Sequence, residues 1–94
     1  YVLMALMRRP MCGIEAVRFV SDKTAGRISI GPATLYTVLA KFESEGYIEE
    51  TEVEGRKRTY RITEKGRGAY RAELRRLETM AEDARTEELF YEKQ

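Results

Sequence analysis

The first hydrophobic feature of the chain is its opening run, Tyr1–Met7, which is apolar on every side. A helix of this kind is either buried or part of an oligomer interface. Pro10 disfavours helical geometry at Arg9 and separates this segment from the next one. Because the sequence begins with Tyr rather than Met, inside the run, we expect a further piece of this helix upstream.

Apolar residues next recur with helical spacing, from Met11 or Cys12 to about Thr24. The predicted buried face advances in three-residue steps and is widened by two further residues, which gives Ile14, Ala16, Val17, Phe19 and Val20. Gly26 ends this second helix. The segment Arg27–Ile30 follows, with two isoleucines on one side, and predicts a short strand.

Residues 31–46 give the clearest helix signal in the chain. Gly31 can take the cap position, and Pro32 suits the first helical position because no N–H is needed there. A buried stripe with steps of three and four follows, made of Leu35, Val38, Leu39 and Phe42. Gly46 is typical of the residue just past a helix end. The opposite face carries small or polar side chains, which would let this helix approach another surface closely.

The next segment, Tyr47–Thr63, predicts a β-hairpin that turns near Glu54 and Gly55. Pairing apolar with apolar residues and acids with bases fixes its register. The predicted partners are Ile48 with Ile62, Glu49 with Arg61, Glu50 with Tyr60, and Glu52 with Arg58.

Thr63 caps a long predicted helix that runs from Glu64 towards Glu88 or beyond, although Gly66 and Gly68 weaken its first turns. Its apolar positions alternate steps of four and three: Tyr70, Leu74, Leu77, Ala81 and Ala84. This spacing is that of a heptad seam. Packing on its own domain is the alternative, but the helix is longer than a small domain can cover, which favours a partner helix.

The order of these elements is two helices, a short strand, a third helix, a hairpin and a long helix. It predicts a mainly α fold with a small β-hairpin, namely a winged helix-turn-helix followed by a long C-terminal dimerisation helix. The predicted DNA-binding domain spans residues 1–66 and the dimerisation helix residues 67–94. In such a fold the third helix enters the major groove of DNA, and the hairpin, or wing, touches the backbone or the minor groove.

Charge is sorted along the chain, although the net charge is only +1. Residues 56–76 hold nine Lys or Arg against two Glu, whereas residues 47–54 hold four Glu and no base. Such sorting matters more than the sum for a binding surface. Alone, the basic run would indicate a solvated strand face paired with the acids. Placed after a helix suited to the major groove, it favours contact with DNA.

The predicted DNA contacts lie on the exposed face of the third helix and at the wing tip. The helix offers Thr34, Tyr36, Thr37 and Lys41 to bases or phosphates, and the wing offers Arg56, Lys57 and Arg58 to phosphates. Two of these have ordinary alternatives. Tyr36 can equally pack between helix and hairpin, and Lys41 can be a plain surface lysine.

Composition excludes several classes of protein. There is no histidine and one cysteine, Cys12, so the commonest general base, the commonest metal ligand and an internal disulfide are absent. We predict no metal site, no cofactor and no catalytic residue, and therefore no enzyme. No apolar run approaches the roughly 20 residues of a membrane helix, and no secretory signal is visible. The predicted location is cytoplasmic.

Three motifs in this order resemble one family. PMCGIEAV, ATLYTVLAKFESEGYIE and GRKRTYRITEKG are similar to the PadR-like transcriptional regulators over about Pro10 to Gly66. Thr34, Tyr36 and Thr37 match the recognition-helix motif of that family, and Gly55, Arg56 and Lys57 match its wing. Because the wing is shorter than in many members, we expect it to contact phosphates rather than reach into the minor groove.

The resemblance also implies how the protein works. It implies a repressor that binds double-stranded DNA as a homodimer, with the N-terminal and C-terminal helices forming the dimer contact. We therefore expect Leu3 and Leu6 to join the heptad seam in that contact, and we expect an inverted-repeat operator. Members of the family sense small aromatic or drug-like effectors or act without a known one, so the resemblance leaves open whether a small hydrophobic or aromatic effector binds.

A second class of function remains open. Winged helices also serve as protein-interaction or dimerisation modules that do not bind DNA. The segment Arg56–Arg58 discriminates between the two, because a docking module has no need of three adjacent bases at a wing tip.

Overall fold

Across residues 1–55 and 57–93, which the structure describes, the computed structural model has four helices and a three-stranded antiparallel sheet. In chain order the elements are α1 (Val2–Arg8), β1 (Met11–Cys12), α2 (Gly13–Lys23), α3 (Pro32–Ser44), β2 (Ile48–Glu54), β3 (Lys57–Ile62) and α4 (Glu64–Glu92). The middle strand is β3, with β1 and β2 on either side. This is the predicted winged helix-turn-helix, with the hairpin β2–β3 as its wing and α4 as the long C-terminal helix.

The hydrophobic core lies between the three N-terminal helices and one face of the sheet. Its buried members are Val2, Ala5, Leu6, Met11, Ala16, Leu35, Leu39, Ile48, Tyr60 and Ile62. Helix α1 contributes three of them, because a helix that is apolar on every side is stable only where it is enclosed. Leu6 is only 3% exposed. Its side chain belongs to the core of its own protomer, so it is not available for the dimer contact predicted above.

The segment Arg27–Ile30 forms a loop rather than the predicted strand. The edge of β3 that such a strand would need is occupied by β1, where Met11 pairs with Tyr60. The hydroxyl of Thr24 accepts the N–H of Ile28 at 3.1 Å. A side chain therefore satisfies a backbone group that a strand partner would otherwise satisfy.

The hairpin has the predicted register near its base and a different one near its tip. Three predicted pairs are present: Ile48 with Ile62, Glu49 with Arg61, and Glu50 with Tyr60. A bulge between Glu50 and Glu52 then shifts the pairing, so that Glu52 lies opposite Thr59 and not opposite Arg58. One extra residue on one strand changes every later partner, and the predicted Glu52–Arg58 pair is wrong for that reason.

Close contacts fix the start of α4 against the turn between α3 and β2. The Thr63 hydroxyl accepts the N–H of Gly66 at 3.0 Å and donates to the carbonyl of Gly46 at 2.6 Å. Gly46 has a φ of +77°, as expected just past a helix end. The Thr63 N–H donates to the carbonyl of Tyr47 at 2.9 Å. A Cβ on Gly66 would lie 2.1 Å from that same carbonyl oxygen, so packing requires glycine there.

Helix α4 leaves the rest of the protomer after about two turns. Its first turns contact α1 and β3 as far as Tyr70, which is partly buried. From Arg71 to Met80 every side chain is exposed. The described part of the chain is therefore elongated, with extents of 62, 28 and 21 Å, and this stretch of α4 projects away from the rest of it.

Candidate nucleic-acid interface

Helix α3 divides into a buried face and an exposed face. Leu35 and Leu39 are 5% and 4% exposed and anchor it in the core. The predicted contact residues Thr34, Tyr36, Thr37 and Lys41 all lie on the exposed side. The side chain of Tyr36 is 68% exposed, which favours its DNA role over the alternative of packing between helix and hairpin. The first turn of α3, which opens with Gly31 and Pro32, is also exposed.

The wing tip presents its basic residues to solvent. Gly55 has a φ of +57°, a left-handed conformation that glycine adopts without strain. Lys57 and Arg58 follow it at the start of β3, and both are exposed. Arg56, the third predicted wing cation, lies outside the residues that the structure describes. The tight turn therefore places at least two cations where they can meet an anion without being desolvated.

Arg58 is oriented by its neighbours on the hairpin. Its guanidinium lies 3.6 Å from the Glu50 carboxylate. Glu50 is opposite Tyr60 in the register, so Arg58 reaches it diagonally, on the same face of β3 as the tyrosine. Burial, together with the carboxylates of Glu43 and Glu50, raises the pKa of Tyr60. Its hydroxyl therefore stays protonated and can donate a hydrogen bond.

A cleft of about 640 Å³ separates α3 from the wing. Its walls are the start of α2, the residues Leu35, Tyr36 and Leu39 of α3, and β3. Its lining includes Ile14, Arg18, Leu35, Tyr36, Lys57, Arg58 and Tyr60. The structure thus brings one predicted recognition-helix residue, Tyr36, and two predicted wing residues to the same cleft. Thr34, Thr37 and Lys41 lie on α3 outside it.

Two residues of this cleft, Ile14 and Arg18, were not predicted from the sequence. Ile14 was expected in the buried face of α2, but its side chain is 65% exposed. The buried residues of α2 are Ala16 and Val20, which are one turn apart. At about 100° per residue, Ile14 lies about 200° from Ala16. The four-residue spacing of Ala16 and Val20 indicates the buried face of α2 correctly, whereas the three-residue steps that begin at Ile14 do not.

Side-chain hydrogen bonds fix the start of α2 at the edge of the cleft. The Glu15 carboxylate accepts the backbone N–H of Cys12 at 3.1 Å and a hydrogen bond from the Arg9 guanidinium at 3.2 Å. The hydrogen bonds from Cys12, followed by Arg9, lower the pKa of Glu15 to about 2. This acid therefore keeps its charge at neutral pH, but that charge is engaged by the start of its own helix.

The residues predicted for the dimer contact lie in different surroundings. Leu74 and Leu77 are each 45% exposed on the projecting part of α4. Ala84 is exposed there too, and Ala81 is partly buried. Leu3 packs against the core of its own protomer.

Tyr70 instead lies beside α1 and α2. It borders a hollow of about 410 Å³ with Met4, Met7, Arg8, Phe19 and Lys23. Further large apolar residues of α4 are exposed outside the predicted heptad seam: Met80, Leu89, Phe90 and Tyr91. The apolar surface of this helix is therefore larger than the heptad seam indicated.

Comparison with known proteins assigns the chain to a family. Residues 2–72 match the transcriptional regulator PadR-like family. The chain belongs to this family. The match spans the winged helix-turn-helix and the first turns of α4, so the PadR-like resemblance found in the sequence is confirmed.

Two solved structures share the fold of this chain. A transcriptional regulator from Clostridium thermocellum is 30% identical, with 86% of this chain and 80% of that chain covered, at a TM-score of 0.79. RosR of H. salinarum is 21% identical, with 87% and 86% covered, at a TM-score of 0.67. The second likeness is one of fold. None of the curated proteins compared with the chain matches it.

Membership of the PadR-like family makes this chain a transcriptional regulator and not an enzyme, as predicted. In the part of the chain that the structure describes, no three metal-binding side chains come together in a group that could hold an ion. No helix within residues 1–55 and 57–93 is both long enough and apolar enough to cross a membrane.

Proposed function

We propose that this PadR-like regulator is a cytoplasmic, homodimeric repressor that binds an inverted-repeat operator in double-stranded DNA. A small aromatic or drug-like effector releases it. The observation that carries the proposal is the shared cleft, across which Tyr36 of α3 and the basic start of β3 face each other. A recognition helix and a wing can act on one DNA duplex only when they share a surface in this way.

The chemistry of this surface suits DNA. Lys57 and Arg58 can neutralise phosphates, which supplies the part of DNA affinity that does not depend on sequence. Thr34 and Thr37 lie on the first turns of α3, where a recognition helix contacts base edges. The Thr37 hydroxyl donates to the carbonyl of Ala33 at 2.9 Å, so its oxygen is still free to accept a hydrogen bond from a base.

The projecting part of α4 supports a homodimer. Leu74, Leu77 and Met80 are large apolar side chains that are each about half exposed. Apolar residues with heptad spacing are stable on a long helix when a partner helix covers them. Two copies paired through α4 by a two-fold axis would present two α3 helices, and such an arrangement reads an inverted repeat.

The hollow beside Tyr70 supports an effector site. It lies where α1, α2 and α4 meet, and its lining combines methionines with aromatic rings and two cations. Arg8 already lies 5.5 Å from the centre of the Phe19 ring. A small aromatic compound that entered this hollow would contact α4 close to its exit from the protomer, and it could thereby alter the dimer.

Selection of binding sites from a pool of random DNA duplexes tests the proposal. We expect enrichment of an inverted repeat whose half-sites are about one helical turn apart. Enrichment of a single half-site would support DNA binding but contradict the two-fold dimer. If no duplex is enriched even at low salt, the alternative of a protein-interaction module without DNA binding replaces this proposal.

A further inference from the structure

The wing contains a bulge whose position decides which acids share a face with its cations. We propose that Glu50 competes with DNA phosphate for Arg58 and so limits the affinity of the wing, and that the bulge at Thr51 keeps Glu52 from doing the same. This inference rests on the proposed DNA-binding function. It gives a role in that function to β2, a strand without any predicted DNA contact.

The two faces of the hairpin differ in their surroundings. The inner face carries Arg58 and Tyr60, which both line the cleft, and cross-strand partners lie on the same face of an antiparallel pair. Glu50 is the partner of Tyr60, and its carboxylate lies 3.6 Å from the Arg58 guanidinium, so it belongs to the inner face. Glu49 lies on the outer face by alternation, where it forms an ion pair with its partner Arg61. Each face thus holds one acid paired with an arginine.

The bulge changes the face of every residue of β2 that follows it. In a regular hairpin Glu52 would lie opposite Arg58 on the inner face. Thr51 is instead an extra residue, and its hydroxyl donates to the Thr59 carbonyl at 3.3 Å. Glu52 consequently pairs with Thr59 on the outer face, and Val53, which is 55% exposed, takes the position opposite Arg58. An uncharged side chain therefore stands where an acid would repel a phosphate.

Glu50 is the acid that remains on the inner face of β2 and β3, two strands that the structure describes throughout. Its side chain is 25% exposed, whereas that of Arg58 is 62% exposed. The guanidinium thus reaches solvent, where a phosphate can approach it, while the carboxylate stays closer to the body of the hairpin. The carboxylate repels that phosphate and offsets part of the positive charge. Because an ion pair this exposed is weak, Glu50 attenuates phosphate binding and does not abolish it.

Three substitutions on β2 test the competition, and each removes one negative charge. Glu50→Gln frees Arg58 on the inner face. Glu49→Gln is the matched control, because it frees an arginine on the outer face, and Glu52→Gln removes the acid that the bulge turns outwards. Affinity for a random-sequence duplex is measured as a function of salt concentration, which gives the salt slope, the slope of log K against log salt.

We expect Glu50→Gln to bind several-fold more tightly at low salt and to steepen the salt slope by up to about 0.9, the value for one phosphate. Glu49→Gln and Glu52→Gln should keep the wild-type slope, because their side chains do not share the face of Arg58. Thermal unfolding followed by circular dichroism checks that all three variants are folded.

Removal of Arg58 tests whether Glu50 acts through it. In an Arg58→Gln background, Glu50→Gln should lose most of its effect on the salt slope, because no guanidinium remains to be released. A general gain of positive charge would act equally in both backgrounds, and an effect that persisted undiminished would overturn the competition.

The outcomes separate the two proposals. If the wild-type protein binds no duplex, the proposed function itself fails. If it binds and Glu50→Gln keeps the wild-type slope, or all three variants change alike, the competition is overturned while the DNA-binding function stands. If Glu52→Gln behaves like Glu50→Gln and Glu49→Gln does not, the role of the bulge is overturned.

Discussion

Gly66 is the residue at which the fold tolerates no side chain. A Cβ there would meet the Tyr47 carbonyl oxygen at 2.1 Å and the Ile62 side chain at 2.8 Å. The first of these is backbone and cannot rotate away. Gly68 lies two residues further along α4 and has open space around it. We therefore expect opposite effects on stability when each glycine is replaced by alanine, although both glycines weaken the helix by sequence alone.

We predict that Gly66→Ala lowers the free energy of unfolding by about 1–3 kcal/mol, the usual range for forcing extra atoms into a packed site. Gly68→Ala is the matched control and should raise it by about 0.5–1 kcal/mol, because alanine is the better helix former. Urea denaturation of both variants measures the difference. Equal effects of the same sign would show that the close approach at Gly66 does not hold in solution.

Glu15 makes a prediction about pH. Its pKa is lowered from the usual 4.5 to about 2, so the folded state binds its proton more weakly than the unfolded state. Its contribution to stability is complete above pH 4.5 and is lost as the pH falls towards 2. We expect the stability difference between wild type and Glu15→Gln to shrink over that window in denaturation curves. A difference that stayed constant would exclude this carboxylate as the cause.

At the scale of elements, the recognition helix and the wing have separate tasks, and each can be tested by one residue. Thr37 lies on the exposed face of α3, which is suited to base edges. Lys57 lies on the wing, which is suited to phosphates. Base contacts carry sequence preference, whereas phosphate contacts carry affinity for any duplex.

For the recognition helix, we predict that Thr37→Ala changes which sequences are preferred more than it changes general affinity. Loss of one base contact typically costs about 1–3 kcal/mol of discrimination against the wrong base. Competition between selected duplexes and random DNA measures this ratio. A uniform loss across all sequences would refute base readout by this hydroxyl.

For the wing, we predict that Lys57→Ala weakens binding to all duplexes alike and lowers the salt slope by roughly one. Lys93, at the far end of α4, offers a control lysine. The same salt titration on Lys93→Ala should give the wild-type slope. A wild-type slope for Lys57→Ala as well would remove this lysine from the phosphate contacts.

An element can be predicted from the sequence when the residues that cause it are close together in the chain, and not when it depends on distant partners. Helix α3, the cap at Thr63 and the base of the hairpin were predicted because their signals are local. Strand β1 was not, because two residues become a strand only through partners such as Tyr60, far along the chain. The bulge after Glu50 was not predicted, because the alternation of apolar and polar residues along a strand does not show where an extra residue is inserted. The position of Ile14 in the cleft could not be predicted either, because the cleft is formed with α3 and β3, which lie far from Ile14 in the sequence.

At the scale of the whole molecule, the long C-terminal helix carries apolar residues that the rest of the protomer does not cover. Almost all of α4 beyond Tyr70 projects away from the rest of the protomer, and its large apolar residues are exposed. A folded domain this small does not support so long a free helix by itself, because helix stability comes mostly from packing of an apolar face. The proposed dimer supplies that packing.

We predict that Leu77→Glu yields monomers in light scattering and abolishes operator binding, because a buried charge in the seam would have no partner. Thr79→Glu places the same side chain about 200° away from Leu77 on the same exposed helix, and this control should remain dimeric. A Leu77→Glu variant that stays dimeric would place the contact elsewhere on the molecule.

The close approach of Gly66 to the Tyr47 carbonyl has a mechanical consequence. With no room for a side chain, α4 can neither slide nor swivel on the turn after α3 without breaking the hydrogen bonds of Thr63. We therefore expect α3 and α4 to move together, with the 29 residues of α4 acting as a lever about 43 Å long. In a dimer, a change in the angle between two such levers would appear, amplified, as a change in the distance between the two recognition helices. The affinity for an operator with a fixed distance between its half-sites would then depend on the angle between the two α4 helices.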